Sequence, residues 1–590
     1  MPGWPRAARA AAGLAAVMLA AMSAGRRAAA QDTTSSTRGA PAADSSVVCA
    51  GQRIDSIVIH TSAPTAAILR RVPIVAHMVA AVHTTTHREL IRRFLLLHVG
   101  DRCDELRRTE SERIIREQPF IADAEVRVLL LPAGGVMLDV QTSDEVAAVV
   151  GVSAAAGIPP LRVIRLGDAN LSGEGIYLAG DWRDGGAFRD GFGGRFSDNQ
   201  LFGRPYTFTI DGHQDPLGDS WQLNATHPFY TDIQRIAWRA RAGARDDYVQ
   251  YSINDSTAHA LRLARNFFDI GGIIRVGPPG RLSLFGASIS GNDERPGTLP
   301  VLITDNGFAP DTSSALLGRF EAHRIARVNT LWGVRDIGYA RVRGFDALTA
   351  TQDLPVGFEL GTLFGRSLSV LGSRDDDIFM SGDVYLGAAQ RTVGLRVQLE
   401  GEGRRDNGAG QWDGILASGQ TVGYLRPSEN NTTSASIEFS GGWNQRIPFS
   451  LSLSDPTGGV RGYISSRTPG GQRLVARWED RQFVGRPFKL ADMGVGVFAE
   501  TGRLWAGDIP YGVTTPLRSS FGVSLYGAVP PASARLWRLD LAIAADPAPG
   551  GHRLELRLSN MDRTTFFLAE PADIGATREQ TVPSSVFRWP

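Results

Sequence analysis

The glycine-rich stretch DPTGGVRGYISSRTPGG, Asp455 to Gly471, carries the tetrapeptide Val460, Arg461, Gly462 and Tyr463. Two carboxylates follow it, Glu479 in RWEDRQF and Glu500 in GVFAETGRLWAG. A guanidinium can donate paired hydrogen bonds to a carboxylate, so the set holds the groups for an ion pair. The flanking residues alternate in polarity, and successive strand side chains point to opposite faces. Glu479 thereby shares a face with Arg473 and Arg477, while Glu500 shares one with Gly496 and Gly502, opposite Val495 and Val497.

Other reactive-looking sets are weaker. GDSW at Gly218 has the glycine, aspartate and serine of some lipase nucleophile motifs, yet it lies between two strand-like segments and reads as a turn. Neither a GxSxG elbow nor a phosphate-binding loop occurs. HTTTH, His83 to His87, has metal-like spacing but lacks the glutamate of HExxH and an evident third ligand, and reads as helix-capping residues. No catalytic residue, metal site or cofactor is expected. Cys49 and Cys103 are the two cysteines of the chain. In an oxidising compartment they could pair, and otherwise they are two small apolar residues.

The elements that must position these residues fall into two regimes. The chain has 590 residues, 67 of them glycine, with 43% hydrophobic and 21% charged residues and a formal net charge of +1. That composition favours several folded domains and gives no reason to expect nucleic acid as a partner. Residues 1–30 read as a signal peptide: Arg6 and Arg9 precede an apolar run, and Ala28, Ala29 and Ala30 stand before Gln31. A polar linker over 31–50 follows. No later segment approaches the ~20 uninterrupted apolar residues of a membrane-spanning helix, so a membrane contact would be made by strands.

Residues 51–145 read as an α+β unit ordered strand, helix, helix, strand, strand. RIDSIVIHT alternates like a half-buried strand. HRELIRRFLLLHVGD places Leu90, Ile91, Phe94 and Leu95 on one helical face and stops at Gly100. DELRRTESERIIREQPF gives a second helix with Leu106, Ile114 and Ile115, broken before Pro119. DAEVRVLLL and VMLDVQTS close the unit across the turn PAGG. The stretch APTAAILRRVPIVAHMVAAVH is an insertion before the first helix.

From Val146 to residue 590 the chain is a series of short alternating segments. YTFTIDGHQD, SWQLNATHPF, RIAWRARAG and HRLELRLSN each put apolar residues on one side and polar or charged residues on the other. Repeated Arg, Glu and Asp on the polar side, in strands of ~10 residues, suit a barrel with an apolar outside and a wet inside. Five strand candidates follow the glycine-rich stretch, spanning 473–483, 494–505, 518–527, 537–545 and 552–560.

GGVRGY ahead of five strands, with RWEDRQF and GVFAETGRLWAG behind it, resembles the BamA/TamA-type outer-membrane assembly and translocation superfamily. LLLHVGDRCDELRRTESERIIREQPFIADAEVRV resembles a POTRA domain. A second VRGF, at Val342 to Phe345, lies too far upstream and reads as ordinary strand or turn. The resemblance implies one periplasmic POTRA domain followed by an all-β, 16-stranded transmembrane antiparallel barrel in the outer membrane. It also implies that the loop at 455–472 folds inward, with Arg461 paired to Glu479 and Glu500. Where the family has aspartate this chain has Glu500, longer by one methylene. The function implied is insertion of barrel precursors into the outer membrane, or passage of a polypeptide across it, by strand addition at exposed edges. Its partners would be unfolded outer-membrane or secreted polypeptides, outer-membrane lipid and periplasmic accessory proteins. A two-partner-secretion transporter and a passive porin-like barrel are the alternatives. About thirty residues follow the last strand candidate, where such barrels usually end at an aromatic residue.

Overall fold

A computed structural model describes residues 46–64, 84–132, 134–154, 161–186, 188–252, 257–312, 315–455, 458–547, 551–561 and 571–578. The signal-peptide reading, most of the linker and nearly all of the insertion before the first helix lie outside the described residues.

The α/β unit is a four-stranded sheet ordered β2-β1-β4-β3, built from β1 (Ala50–Ser62), β2 (Arg102–Asp104), β3 (Ile121–Leu130) and β4 (Val136–Asp144). β1 runs parallel to β4, and the outer pairings are antiparallel. Helix α1 (Arg88–Arg92) is shorter than the sequence predicts. Leu90, Ile91, Phe94 and Leu95 are all buried, but the last two follow the helix in turns. Helix α2 (Glu105–Arg116) is capped by Asp104, whose side chain accepts from the Arg107 amide at 2.9 Å. Ile114 and Ile115 join the core, whereas Leu106 is 45% exposed.

The rest of the described chain closes into an antiparallel barrel, from β5 (Ala148–Ala154) through β26 (Leu554–Met561), which pair to seal it. The expected count of sixteen strands is corrected. β13 (Arg281–Pro296) pairs directly with β16 (His323–Arg343), so β14 (Val301–Thr304) and β15 (Gly307–Pro310) form a hairpin inserted between them. Among the described residues the wall then has twenty strands, fifteen before the glycine-rich loop and five after it. The surplus arises early: tight turns at 172–175 and 216–217 help fit six short strands between Ala148 and His227.

The five strands after the loop are β22 (Gln472–Gly485), β23 (Asp492–Trp505), β24 (Arg518–Ala528), β25 (Leu536–Ala544) and β26. On β22, Arg473, Val475, Glu479 and Arg481 are buried inside while Leu474 and Trp478 face out. The same inversion runs round the wall, where Ile270, Phe285, Trp332, Phe364, Leu399 and Phe521 are exposed large apolar side chains. A wall that is apolar outside and charged inside reverses the usual order of a water-soluble protein.

The α/β unit is bound to the barrel rim at the end that carries the turns 172–175, 344–350 and 529–535. Glu112 of α2 accepts from Arg108 at 3.0 Å and is paired with Arg116 and with Arg341 of β16. Arg116 also pairs with Asp353 of β17 (Thr351–Ser367). Gln200 Nε2 donates to the Leu90 carbonyl at 3.1 Å, and Arg535 donates to the carbonyls of Pro119 at 3.0 Å and Val146 at 3.1 Å. Ser533 Oγ donates to Glu145 at 2.8 Å.

Candidate functional site

The loop between β21 (Asn431–Trp443) and β22 turns into the barrel instead of standing above it. Leu451, Leu453, Val460 and Tyr463 are buried together with Val475 and Leu504 of the wall. The Val460 amide donates to the Leu453 carbonyl at 3.0 Å, folding the segment on itself. Gly502 leaves the space that Val460 fills, since a Cβ there would lie 2.7 Å from Val460 Cγ2. Arg477 of β22 donates to the carbonyls of Gly458 at 2.9 Å and Gly459 at 2.8 Å, so the wall holds the loop by its backbone too.

Arg461 sits at the centre. Its Nε donates to Glu500 Oε1 at 2.6 Å, its backbone amide to Glu500 Oε2 at 2.8 Å, and its Nη2 to Glu479 Oε2 at 2.9 Å. The guanidinium lies 3.6 Å from the centre of the Phe498 ring, a cation–π contact. The longer side chain of Glu500 spans both the guanidinium and the amide of the same residue. Arg461 is 3% exposed, Glu479 0% and Glu500 4%, so the set is sealed from water.

Sequence reasoning missed a third carboxylate. Asp540 of β25 lies 3.5 Å from Arg461 Nη1, accepts from Ser524 Oγ at 2.5 Å and pairs with Arg538 at 2.8 Å. Arg481 stands 3.4 Å from Glu479. Three arginines, 461, 481 and 538, thus face three carboxylates, 479, 500 and 540, and the buried cluster carries no net charge. Balance of this kind is what lets charges be sealed inside a fold. The signal for Asp540 was present in RLWRLDLAIA, where Arg538, Asp540 and Ala542 alternate inward.

The neighbours of Arg461 anchor the tip. Gly462 has φ +84°, a conformation that favours glycine. Tyr463 Oη donates toward the carbonyls of Ser519 at 3.0 Å and Asp546 at 2.9 Å. The Ile464 amide donates to Glu555 of β26 at 3.2 Å, and Asp455 pairs with Arg557 of the same strand. The loop therefore touches all five strands from β22 to the seam strand β26. Pro456 and Thr457 lie outside the described residues.

The barrel floor has a second inward segment. The upstream VRGF ends β16, but the turn after it is buried rather than ordinary: Phe345 stacks on Tyr424 at 5.1 Å, and Arg481 donates to the Asp346 carbonyl at 3.2 Å. Arg481 thus stands between the loop cluster and the floor turn.

The remaining sets are placed as follows. Cys49 and Cys103 form a disulfide with Cα atoms 5.0 Å apart, tying the residue just before β1 to β2. His83 is outside the described residues; His87 stands at the start of α1 without capping it, its Nδ1 2.6 Å from Glu174. Gly218 begins the second strand of a hairpin, pairing with Asp215. Among the described residues no group of three metal-binding side chains occurs.

The described residues thus form a closed antiparallel barrel with a loop latched within it and an α/β unit on one rim. No family model matches the chain, and no curated protein does. Solved structures similar to it include BamA from Haemophilus ducreyi lacking POTRA domains 1–3, at 10% identity over 86% of this chain and 85% of that one, with a TM-score of 0.35. CdiB from Acinetobacter baumannii aligns at 9% identity over 86% of this chain and 74% of that one, TM-score 0.39. CdiB from Escherichia coli aligns at 9% over 87% and 77%, TM-score 0.38.

Proposed function

We propose that this chain is an outer-membrane factor that inserts barrel precursors into the membrane or passes a polypeptide across it. The observation that carries the reading is the burial of Arg461 between Glu479 and Glu500 at the tip of an inward-folded loop. A passive pore has no use for such a clamp. Here the clamped loop reaches the seam strand β26 through Glu555 and Arg557, so latching and the state of the seam are linked. A seam that loosens exposes unpaired backbone donors and acceptors, and an incoming strand can add to them.

In this reading the α/β unit is a POTRA domain facing the periplasm, preceded by an export signal, and the apolar outer wall lies in outer-membrane lipid. Clients are unfolded outer-membrane or secreted polypeptides, and periplasmic accessory proteins dock on the POTRA sheet. The work needs no catalytic residue, nucleotide or metal, because the free energy of strand pairing and apolar burial drives it.

The test is to deplete the protein and profile outer-membrane proteins, with rescue by the wild type or by Arg461→Ala. The expected result is a general loss of barrel proteins, restored by the wild type and not by the variant. Loss of one secreted protein alone would mark a dedicated transporter of the two-partner-secretion type. An unchanged profile would overturn the reading and leave a porin-like barrel.

A further inference from the structure

The chain continues past its last wall strand, and residues 571–578, with helix α3 (Ala572–Thr577), lie inside the lumen. Three separated sectors of wall hold this short segment. Arg473 of β22 grips Asp573 with both terminal nitrogens, at 2.6 and 3.1 Å. Arg265 of β12 (Thr257–Val276) donates to the carbonyls of Ala576 at 3.0 Å, Thr577 at 3.2 Å and Arg578 at 3.4 Å, closing the C-terminal end of the helix. Arg578 lies 3.2 Å from Glu400 and 3.5 Å from Glu402, both on β19 (Val393–Asp406). Ile574 is fully buried against the latched loop, in one cluster with Leu453 and Val460.

Two cavities flank the segment, of about 690 and 580 Å³, and Ala576 lines both. One reaches the loop at Ser465 and the seam strand at Glu555; the other is lined by Asp211 and Arg241. The segment is the partition between them. Its cradle combines cations on two sides, carboxylates on a third and an apolar seat, which are the features that recognise a peptide carrying an acidic and a basic residue five positions apart.

We propose that the lumen contains a built peptide-binding site, filled by the chain's own residues 571–578, and that this segment plugs the barrel until it is displaced. Wall charges left behind on displacement would face water in the joined cavities, so release does not strand them in a dry core. The plug is independent of which polypeptide the barrel serves, and rests on the proposed function only in requiring a membrane barrel.

The experiment compares the full chain with an Asp573→Arg/Arg578→Glu double variant, which sets like charges against Arg473 and against Glu400 and Glu402. In planar bilayers the variant should conduct several-fold more than the wild type, and a synthetic peptide of residues 571–578 should return it to the wild-type level. Equal conductance of the two chains overturns the plug. An open variant that the peptide does not close overturns the binding site. Labelling in detergent provides a second readout that needs no insertion. With the native cysteines in the disulfide, Ala576→Cys is the one free thiol, and a bulky polyethylene-glycol maleimide should label it slowly in the parent and quickly when Arg578→Gln is added. Equal rates would overturn the proposal even if the double variant failed to fold.

Discussion

Gly462 sits at φ +84° beside Arg461, and any L side chain there costs roughly 1–2 kcal/mol. Gly462→Ala should lower the stability of the folded barrel by about that amount, read as a shift in its denaturation midpoint. Arg461→Ala should cost more, about 3–5 kcal/mol, because Glu500 then keeps only the loop amide as partner and Asp540 loses one of its two cations. If the two variants were equally stable, the clamp would hold nothing. Glu479 and Glu500 were legible in the sequence because strand side chains alternate, and that period fixes which residues face in. Asp540 has the same period but was not singled out. Its height in the barrel relative to Arg461 depends on register across four strands, which no local pattern encodes.

The strands themselves were the most legible elements, since HPHPH patterning marks them and turn residues separate them. Their number was not. Six short strands before residue 228 read as a vaguer run of alternation, and the inherited count of sixteen failed there. Helix α1 shows the opposite limit: the apolar spacing correctly marked four buried residues, yet the backbone leaves the helix after Arg92 and lets turns bury the rest. Within the α/β unit, hydrogen bonds from Arg108 hold the Glu105 carboxyl below its ordinary range. The folded value lies under the unfolded one, so this stabilisation is complete above about pH 4.3 and is lost as pH falls through the folded value. Glu105→Gln should remove that part of the acid sensitivity, measured as unfolding midpoint against pH; an unchanged profile would assign the sensitivity elsewhere. The disulfide between Cys49 and Cys103, with a sequence separation of 54, adds about 4 kcal/mol by the loop-entropy relation, so reduction should unfold this unit well before the barrel.

At the scale of the molecule, the join between unit and barrel was invisible to sequence reading, because it is made of ion pairs between residues more than two hundred positions apart. α2 carries the charged run ELRRTESER, and nothing in that run marks Glu112 as buried among Arg108, Arg116 and Arg341. Glu112→Gln removes the one carboxylate these three arginines share and should loosen the unit, seen as faster hydrogen exchange in α2 with the barrel unchanged. No change there would show that the backbone contacts at Pro119 and Val146 are enough. The lumenal tail was equally hidden: its excess length was plain, but nothing in its pattern points to Arg473 or Arg265.

That tail has a mechanical consequence. The seam strand ends at Met561 and the lumenal segment begins at Pro571, ten links further along the chain. At roughly 3.3–3.6 Å per residue, ten links can separate the two by no more than about 35 Å, little more than the thickness of a bilayer core. If residues 571–578 leave their seat as proposed, so short a covalent connection keeps them close to it, at a high effective concentration for return.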